Sequence, residues 1–186
     1  MIKQKNKMLD ISTGRLILNE TEGWEISPFF TRSDLMESSF WRMSQGNTQN
    51  IRSNARNLHI NKITINEYVF SMEIHIGRND FIDEITLRSE RASEIQQWSG
   101  RPGWEAIAKE EKQIHEEFLR KATSLPTLFT TDKDEQTIET NWGSISSIMD
   151  LSSEPDIRIS IRYRNLSAAE KEKYLSLGRK YLHGEK

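Results

Sequence analysis

Glu73 and His75 stand two residues apart, and in an extended strand that spacing puts both side chains on one face. A carboxylate beside an imidazole is the minimum for acid–base work, so the pair would serve a small hydrolase-like enzyme with a dispersed site. The ordinary alternative is an exposed pair on a solvated sheet face. His115-Glu116-Glu117 invites a metal, but a helical zinc site needs two histidines at i and i+4 plus a third ligand. Positions 111 and 119 are Glu and Leu, so the spacing fails and a solvated helix flank is the expectation. Asp132, Asp134 and Glu135 begin like a calcium loop yet lack its sixth-position Gly and twelfth-position Glu. The nine glycines come no closer together than Gly100 and Gly103, which rules out a phosphate cradle, and no serine sits in a Gly-x-Ser-x-Gly elbow. The absence of cysteine removes thiol catalysis, disulfides and cysteine-held zinc or iron–sulfur sites. These patterns predict no catalytic residue, no cofactor and no metal.

The remaining charged pattern suits binding. Arg158 and Arg162 alternate with Ile157, Ile159, Ile161 and Tyr163, so they share the polar face of one strand with Ser160 between them. Arg164 joins them if the strand persists that far. Such a row either pairs with acidic neighbours such as Glu139, protects an edge strand, or meets an acidic partner surface, since Arg is favoured at binding hot spots. Trp41, Trp98 and Trp104 border loops, where Trp either anchors a partner or packs at the core edge. The candidate partner-binding residues are therefore Arg158, Arg162, Arg164 and Trp41.

Positioning these side chains falls to strands and one long helix. Residues 9–19 read as two short strands around Thr13-Gly14, extended by Trp24–Ser27. Thr31 with Asp34 forms a capping-box pair, with Phe30 and Leu35 as a staple, and predicts a helix ending near Trp41. Residues 44–57 carry almost nothing to bury and read as a loop. Strands follow at 58–65 and 68–76. In the second, Tyr68, Phe70, Met72, Ile74 and Ile76 alternate with polar positions, and the turn 77–80 returns the chain into 81–87. A helix from Trp104 to about Thr123, ended by Pro126, places Ile107, Ile114 and Phe118 on its sheet-facing side, with Phe70, Met72, Ile159 and Ile161 opposite. Residues around 137–148 should pair with 157–163. A last helix opens at Ser167-Ala168-Ala169-Glu170 and presents Tyr174, Leu175, Leu177, Tyr181 and Leu182. The expected fold is α+β: a single antiparallel sheet of meander and hairpins packed on the long helix, with a short N-terminal and a C-terminal helix.

A length of 186 residues predicts one domain, 1–186, with enough chain to bury a core. Hydrophobic residues make up only 35%, so the surface is polar, and five Trp with seven Phe supply the bulk inside. Net charge is -2 and neither half is strongly basic, which argues against a nucleic-acid partner. The charged start Met1–Met8 has no apolar stretch behind it, and no run approaches a membrane span, so a cytoplasmic location is expected.

The block Trp142-Gly143-Ser144-Ile145-Ser146-Ser147, Asp150 and Ile157-Arg158-Ile159-Ser160-Ile161-Arg162-Tyr163 resembles the C-terminal block of a group of small bacterial proteins with a Trp-Gly-x-Ile…Tyr-Asp-Pro-Arg…Ile-x-Ile-x-Tyr pattern. The strand pair leading to Pro28 and the helix up to Phe40 is similar to their N-terminal part. The chain departs from the pattern at Leu151-Ser152-Ser153-Glu154-Pro155 and continues past Tyr163 with the last helix. Proteins of this pattern often belong to the immunity-type proteins that accompany polymorphic toxins. The resemblance implies a non-enzymatic protein that neutralises a toxin domain by direct binding, and it carries over no catalytic residue.

Overall fold

The computed structural model describes residues 8–19, 24–28, 30–38, 41, 51–53, 56–125, 134–164, 167 and 169. They form two antiparallel sheets and one long helix. The N-terminal sheet holds β1 (Leu9–Asp10), β2 (Arg15–Asn19) and β3 (Trp24–Ile26), in that order. After α1 (Arg32–Glu37) comes the main sheet. Its strands are β4 (Ile51–Ser53), β5 (Asn57–Ile65), β6 (Tyr68–Ile76), β7 (Ile82–Ser89), β8 (Glu135–Glu139), β9 (Gly143–Asp150) and β10 (Asp156–Tyr163). Their seven-stranded order is β4-β5-β6-β7-β10-β9-β8. Between β7 and β8 run a 3-10 turn (Ala92–Glu94), α2 (Ile95–Trp98) and the long α3 (Trp104–Thr123).

The α+β class and antiparallel pairing agree with the sequence reading; the single sheet does not. Leu9, Leu16, Leu18 and Ile26 of the small sheet are buried in the same core as Leu58, Phe70, Met72 and Ile161 of the main one. Three short strands with one apolar face thus become a second layer over the main sheet instead of extending its edge.

Both predicted hairpins form. β6 pairs with β7 from Phe70↔Ser89 to Ile76↔Ile82, and β9 pairs with β10 from Asp156↔Asp150 to Tyr163↔Gly143. The stretch 137–148 is two strands, however, because the chain turns at Thr140–Trp142. Thr140 closes that turn: its N–H and its hydroxyl both donate to the Gly143 carbonyl at 2.8 Å. Gly143 is required there, since a Cβ would lie 1.8 Å from the Arg162 carbonyl oxygen. Within the expected loop 44–57, residues 51–53 are a strand paired with 58–60, and 44–50 with 54–55 lie outside the described residues. The Thr31–Asp34 capping box is present, but α1 stops at Glu37, where the Ser38 N–H and hydroxyl donate to the Leu35 carbonyl. Pro126 and most of the expected C-terminal helix also fall outside the described residues.

The signature block has a structural task. Trp142 is fully buried, and its Nε1–H donates to the Ile11 carbonyl at 2.6 Å. Tyr163, whose ring is 5.6 Å from that of Trp142, donates its hydroxyl to the Gly14 carbonyl at 3.0 Å. Two side chains, one from the β8–β9 turn and one from β10, thereby grip the β1–β2 turn. Gly14 accepts this contact with φ +74° and no side chain; a Cβ would stand 2.6 Å from the indole.

The long helix spans the residues predicted, but its buried face differs. Phe118 is fully buried and meets Phe70 edge-on at 4.9 Å, as expected, and burying such a ring stabilises by roughly 2–3 kcal/mol. Ile107 packs at one end beside Met149 and Ile157. Ile114 is 37% exposed and faces solvent. The middle of the buried face is polar instead: Glu111, Lys112, His115 and Glu116, each 2% exposed or less. His115 and Glu116, expected on a wet flank, turn inward because Ser89 of β7 and Ser147 of β9 offer them or their neighbours hydrogen bonds there.

Candidate partner-binding face

The helix covers one side of the main sheet, and the alternation of each strand sends the other set of side chains outward. Register builds these into rows. His59, Glu73, Thr86, Ser160, Ser146 and Thr137 lie side by side across six strands, from β5 to β8. A parallel row sets Asn57, His75, Glu84, Arg162, Ser144 and Glu139 in line. The face is mostly polar, with Ile148 and Val69 as apolar members, and it is open where His75 and Arg162 sit, at 46% and 59% side-chain exposure.

Arg158 lies on this face but is not a free cation. It pairs with Asp156 two residues earlier on the same strand. Asp156 also holds Arg88 of β7, which donates Nε–H to Oδ1 at 3.0 Å and an Nη2–H to Oδ2 at 3.4 Å. Arg88 and Arg158 are near neighbours on adjacent strands, since Leu87 opposes Ile159, so one carboxylate is shared between two guanidinium groups. Burial pulls both below their ordinary values; Glu73 and Glu84 oppose that for Arg88, whereas the charge of Arg88 adds to it for Arg158. Arg162 instead reaches Glu84 across the strand at 3.3 Å, and Glu84 also accepts from Ser160. Arg164 follows the end of β10, exposed, with its N–H donating to the Trp142 carbonyl.

The row of arginines expected along β10 is therefore divided: Arg158 belongs to a three-residue cluster, Arg162 to a cross-strand pair and Arg164 to the strand end. Trp41 does not belong to any surface site. It is 4% exposed and sits in the core. Asp156 was legible in sequence two residues before Arg158 on the same face, but Arg88 needed the β7–β10 register.

Beside the cluster the surface dips into a groove of about 990 Å3. It is lined by Ser71, Arg88 and Arg158, by residues of the 92–97 segment and by the β9–β10 turn, with Asp150, Glu154 and Asp156 among them. Asp150 is turned back on that turn, accepting from the Ser152 N–H at 2.9 Å.

Glu73 and His75 are neighbours on this face, as their spacing predicts, but each has a separate partner. Glu73 accepts from Asn57 at 3.3 Å and lies 3.7 Å from Arg88; His75 lies 3.8 Å from Asp83. The pairing that an acid–base reading calls for is thus spent on structural contacts. The arrangement nearest to a nucleophile and base is under the helix instead. Ser89 Oγ lies 2.9 Å from His115 Nε2, but its proton goes to Glu111 at 2.6 Å, and Nε2 already accepts the Ser89 backbone N–H at 3.0 Å. Burial first, then the charges of Lys112 and Arg88, push the imidazole down to about 3, leaving it neutral and a poor base. Lys112 completes this layer, donating to the carbonyl and hydroxyl of Ser147 at 2.8 Å each and pairing with Glu116 at 3.2 Å. Among the described residues no cluster of His, Asp or Glu could hold a metal ion, and no helix is long and apolar enough to cross a membrane.

No protein-family model matches the chain, and no curated protein matches it significantly. Among solved structures it is similar to a chain of Rhs1-CT in complex with cognate immunity protein RhsI1, with a TM-score of 0.46 and 15% identity over 92% of this chain and 96% of that one. So loose a likeness fixes neither a shared fold nor a shared role.

Proposed function

We propose that this chain is a non-enzymatic, cytoplasmic binding protein of the immunity type, a single domain that neutralises a toxin domain by occupying it with the outer face of the main sheet. The observation that carries the reading is that face itself. It is a broad polar surface of paired charges on which Arg162 stands open beside Glu84 and His75 beside Asp83. A rigid, pre-paired polar surface fits a partner by charge complementarity at little ordering cost, which is what fast, specific protein association uses. The resemblance of the 142–163 block to immunity-type proteins points the same way, and the grip of Trp142 and Tyr163 on the N-terminal turn gives that block a reason to exist in the fold.

The test is capture from the producing cell with wild-type chain and with the Arg162→Glu/Arg158→Glu double reversal, followed by expression of the captured protein alone and together with this chain. The expected result is a partner that arrests growth alone, is harmless in co-expression, and is lost by the reversal. A partner that binds the reversed chain as well as the wild type, or one whose toxicity this chain leaves untouched, would refute the reading.

A further inference from the structure

We infer that the free edge of β8 takes up an extended, basic strand of the protein partner, which adds to the main sheet by backbone hydrogen bonds. The inference rests on the reading of the outer sheet face as the partner surface and says how that surface is prolonged. β8 ends the strand order, so among the described residues it is paired on one side alone, with β9. Its ladder fixes which backbone groups are left over. The Met149 N–H donates to the Asp134 carbonyl at 2.7 Å, and the Thr140 N–H to the Gly143 carbonyl at 2.8 Å. Antiparallel pairs alternate between bonded and non-bonded positions, so Gln136 and Ile138 spend their backbone groups on β9. Glu135, Thr137 and Glu139 then turn their N–H and C=O away from β9, and all three residues are exposed. Thr137 and Ser146 share a side-chain hydrogen bond at 2.8 Å, as fits a non-bonded pair, where side chains approach most closely.

The charges on this edge select the occupant. Glu135 and Glu139 lie on the outer face at its two ends, and among the described residues neither forms an ion pair. A second copy of β8 laid antiparallel about Thr137 would set each Glu135 against a Glu139, and like charges directly opposite are destabilising. A strand with Lys or Arg at those two positions turns both repulsions into attractions. Ile138 is partly buried against the core, on the other side of the sheet from Thr137, so the residue opposite it is apolar. The strand that fits therefore reads basic, apolar, Thr or Ser, any residue, basic. It continues the rows that end at Thr137 and Glu139, so the added strand and the outer face form one surface.

The experiment follows amide hydrogen exchange and chemical shifts in the full, isotope-labelled chain. The probes are cyclic hairpin peptides whose free strand reads Lys-Val-Thr-Thr-Lys or Glu-Val-Thr-Thr-Glu, since cyclisation removes much of the ordering cost. In the free chain the Thr137 and Glu139 amides should exchange more than about tenfold faster than those of Gln136 and Ile138. The basic peptide should protect them saturably, and the acidic one should bind about tenfold more weakly, as reversal of two cross-strand charge pairs implies. Thr137→Pro removes the central outward N–H without breaking a ladder bond, which edge strands tolerate, and should abolish the protection. The Glu135→Lys/Glu139→Lys chain should instead prefer the acidic peptide, and it tests the same claim if proline disturbs the fold. A Thr137 amide already protected in the free chain would mean that the chain covers its own edge. Protection that grows with protein concentration would mean a second copy, and silence with both peptides up to roughly 10 mM an edge merely guarded by charge. Each of these three outcomes overturns the inference, as does equal binding of the two peptides. The wider reading fails separately: a captured partner lost on the Arg162→Glu/Arg158→Glu reversal but held fully by Thr137→Pro removes only the strand addition. A partner indifferent to all of these substitutions removes both.

Discussion

Acid should loosen this protein through a single ring, His115. The ring is fully buried, its Nε2 takes the Ser89 backbone N–H, and its Nδ1 has no hydrogen-bond partner among the described residues. Burial first, then Lys112 and Arg88 as nearby like charges, lower its pKa from 6.5 to about 3. The sign follows directly. Between those two values the unfolded chain holds a proton that the folded chain does not, so stability is full above pH 6.5 and falls as the pH falls. Each pH unit below 6.5 costs about 1.4 kcal/mol, so by roughly pH 4.5 this group alone has removed about 2.7 kcal/mol, a large part of a typical domain's stability. Carboxylates also titrate in this window, and a variant separates them from the ring. His115→Gln is neutral at every pH and keeps an acceptor near the Ser89 N–H. Urea unfolding of both chains at pH 6.5 and 4.5 should show the wild type losing about 2.3 kcal/mol more than the variant at unchanged slope against denaturant, since about 0.4 kcal/mol is already lost at pH 6.5. A difference between the two chains that stays constant with pH to within about 0.5 kcal/mol would refute the reasoning, because the ring would then titrate alike in both states.

Phe118→Ala should cost about 3–5 kcal/mol in chemical denaturation because it opens a cavity against Phe70, while Ile114→Ala should stay within about 0.5 kcal/mol. Equal costs at the two positions would mean that the helix is rotated from the orientation described. Lys112→Met should destabilise by about 3–5 kcal/mol, since it strands the buried Glu116 without its cation, and adding Glu116→Leu should recover most of that loss. Additive losses in the thermal or urea unfolding of the double variant would show that the pair is not a coupled unit.

Elements whose signal is local were legible in the sequence. The alternation Phe70, Met72, Ile74, Ile76 identifies a strand with one wet face because side chains switch sides at every residue, wherever the strand ends up. Thr31 and Asp34 announce a helix start because the capping contacts lie within four residues. The same locality put Arg158 and Arg162 on one polar face, and the alternation did not mislead there. What the sequence could not carry is which neighbours those faces would meet. Apolar periodicity turned Ile114 inward and His115 outward, yet the fold does the reverse, because Ser89 and Ser147 from distant strands make a polar seat under the middle of the helix. Trp41 looked like a loop-edge anchor and is core, a matter of packing that no spacing reveals. Strand order decided the site: β10 inserts between β7 and β9, which brings Arg88 beside Arg158 and makes one aspartate serve both. Which face a residue lies on is a property of a few consecutive residues and can be read from them. Which charge it meets depends on pairings between segments some 70 positions apart, as in Arg88 with Asp156 (|i−j| = 68), and only the folded chain settles them.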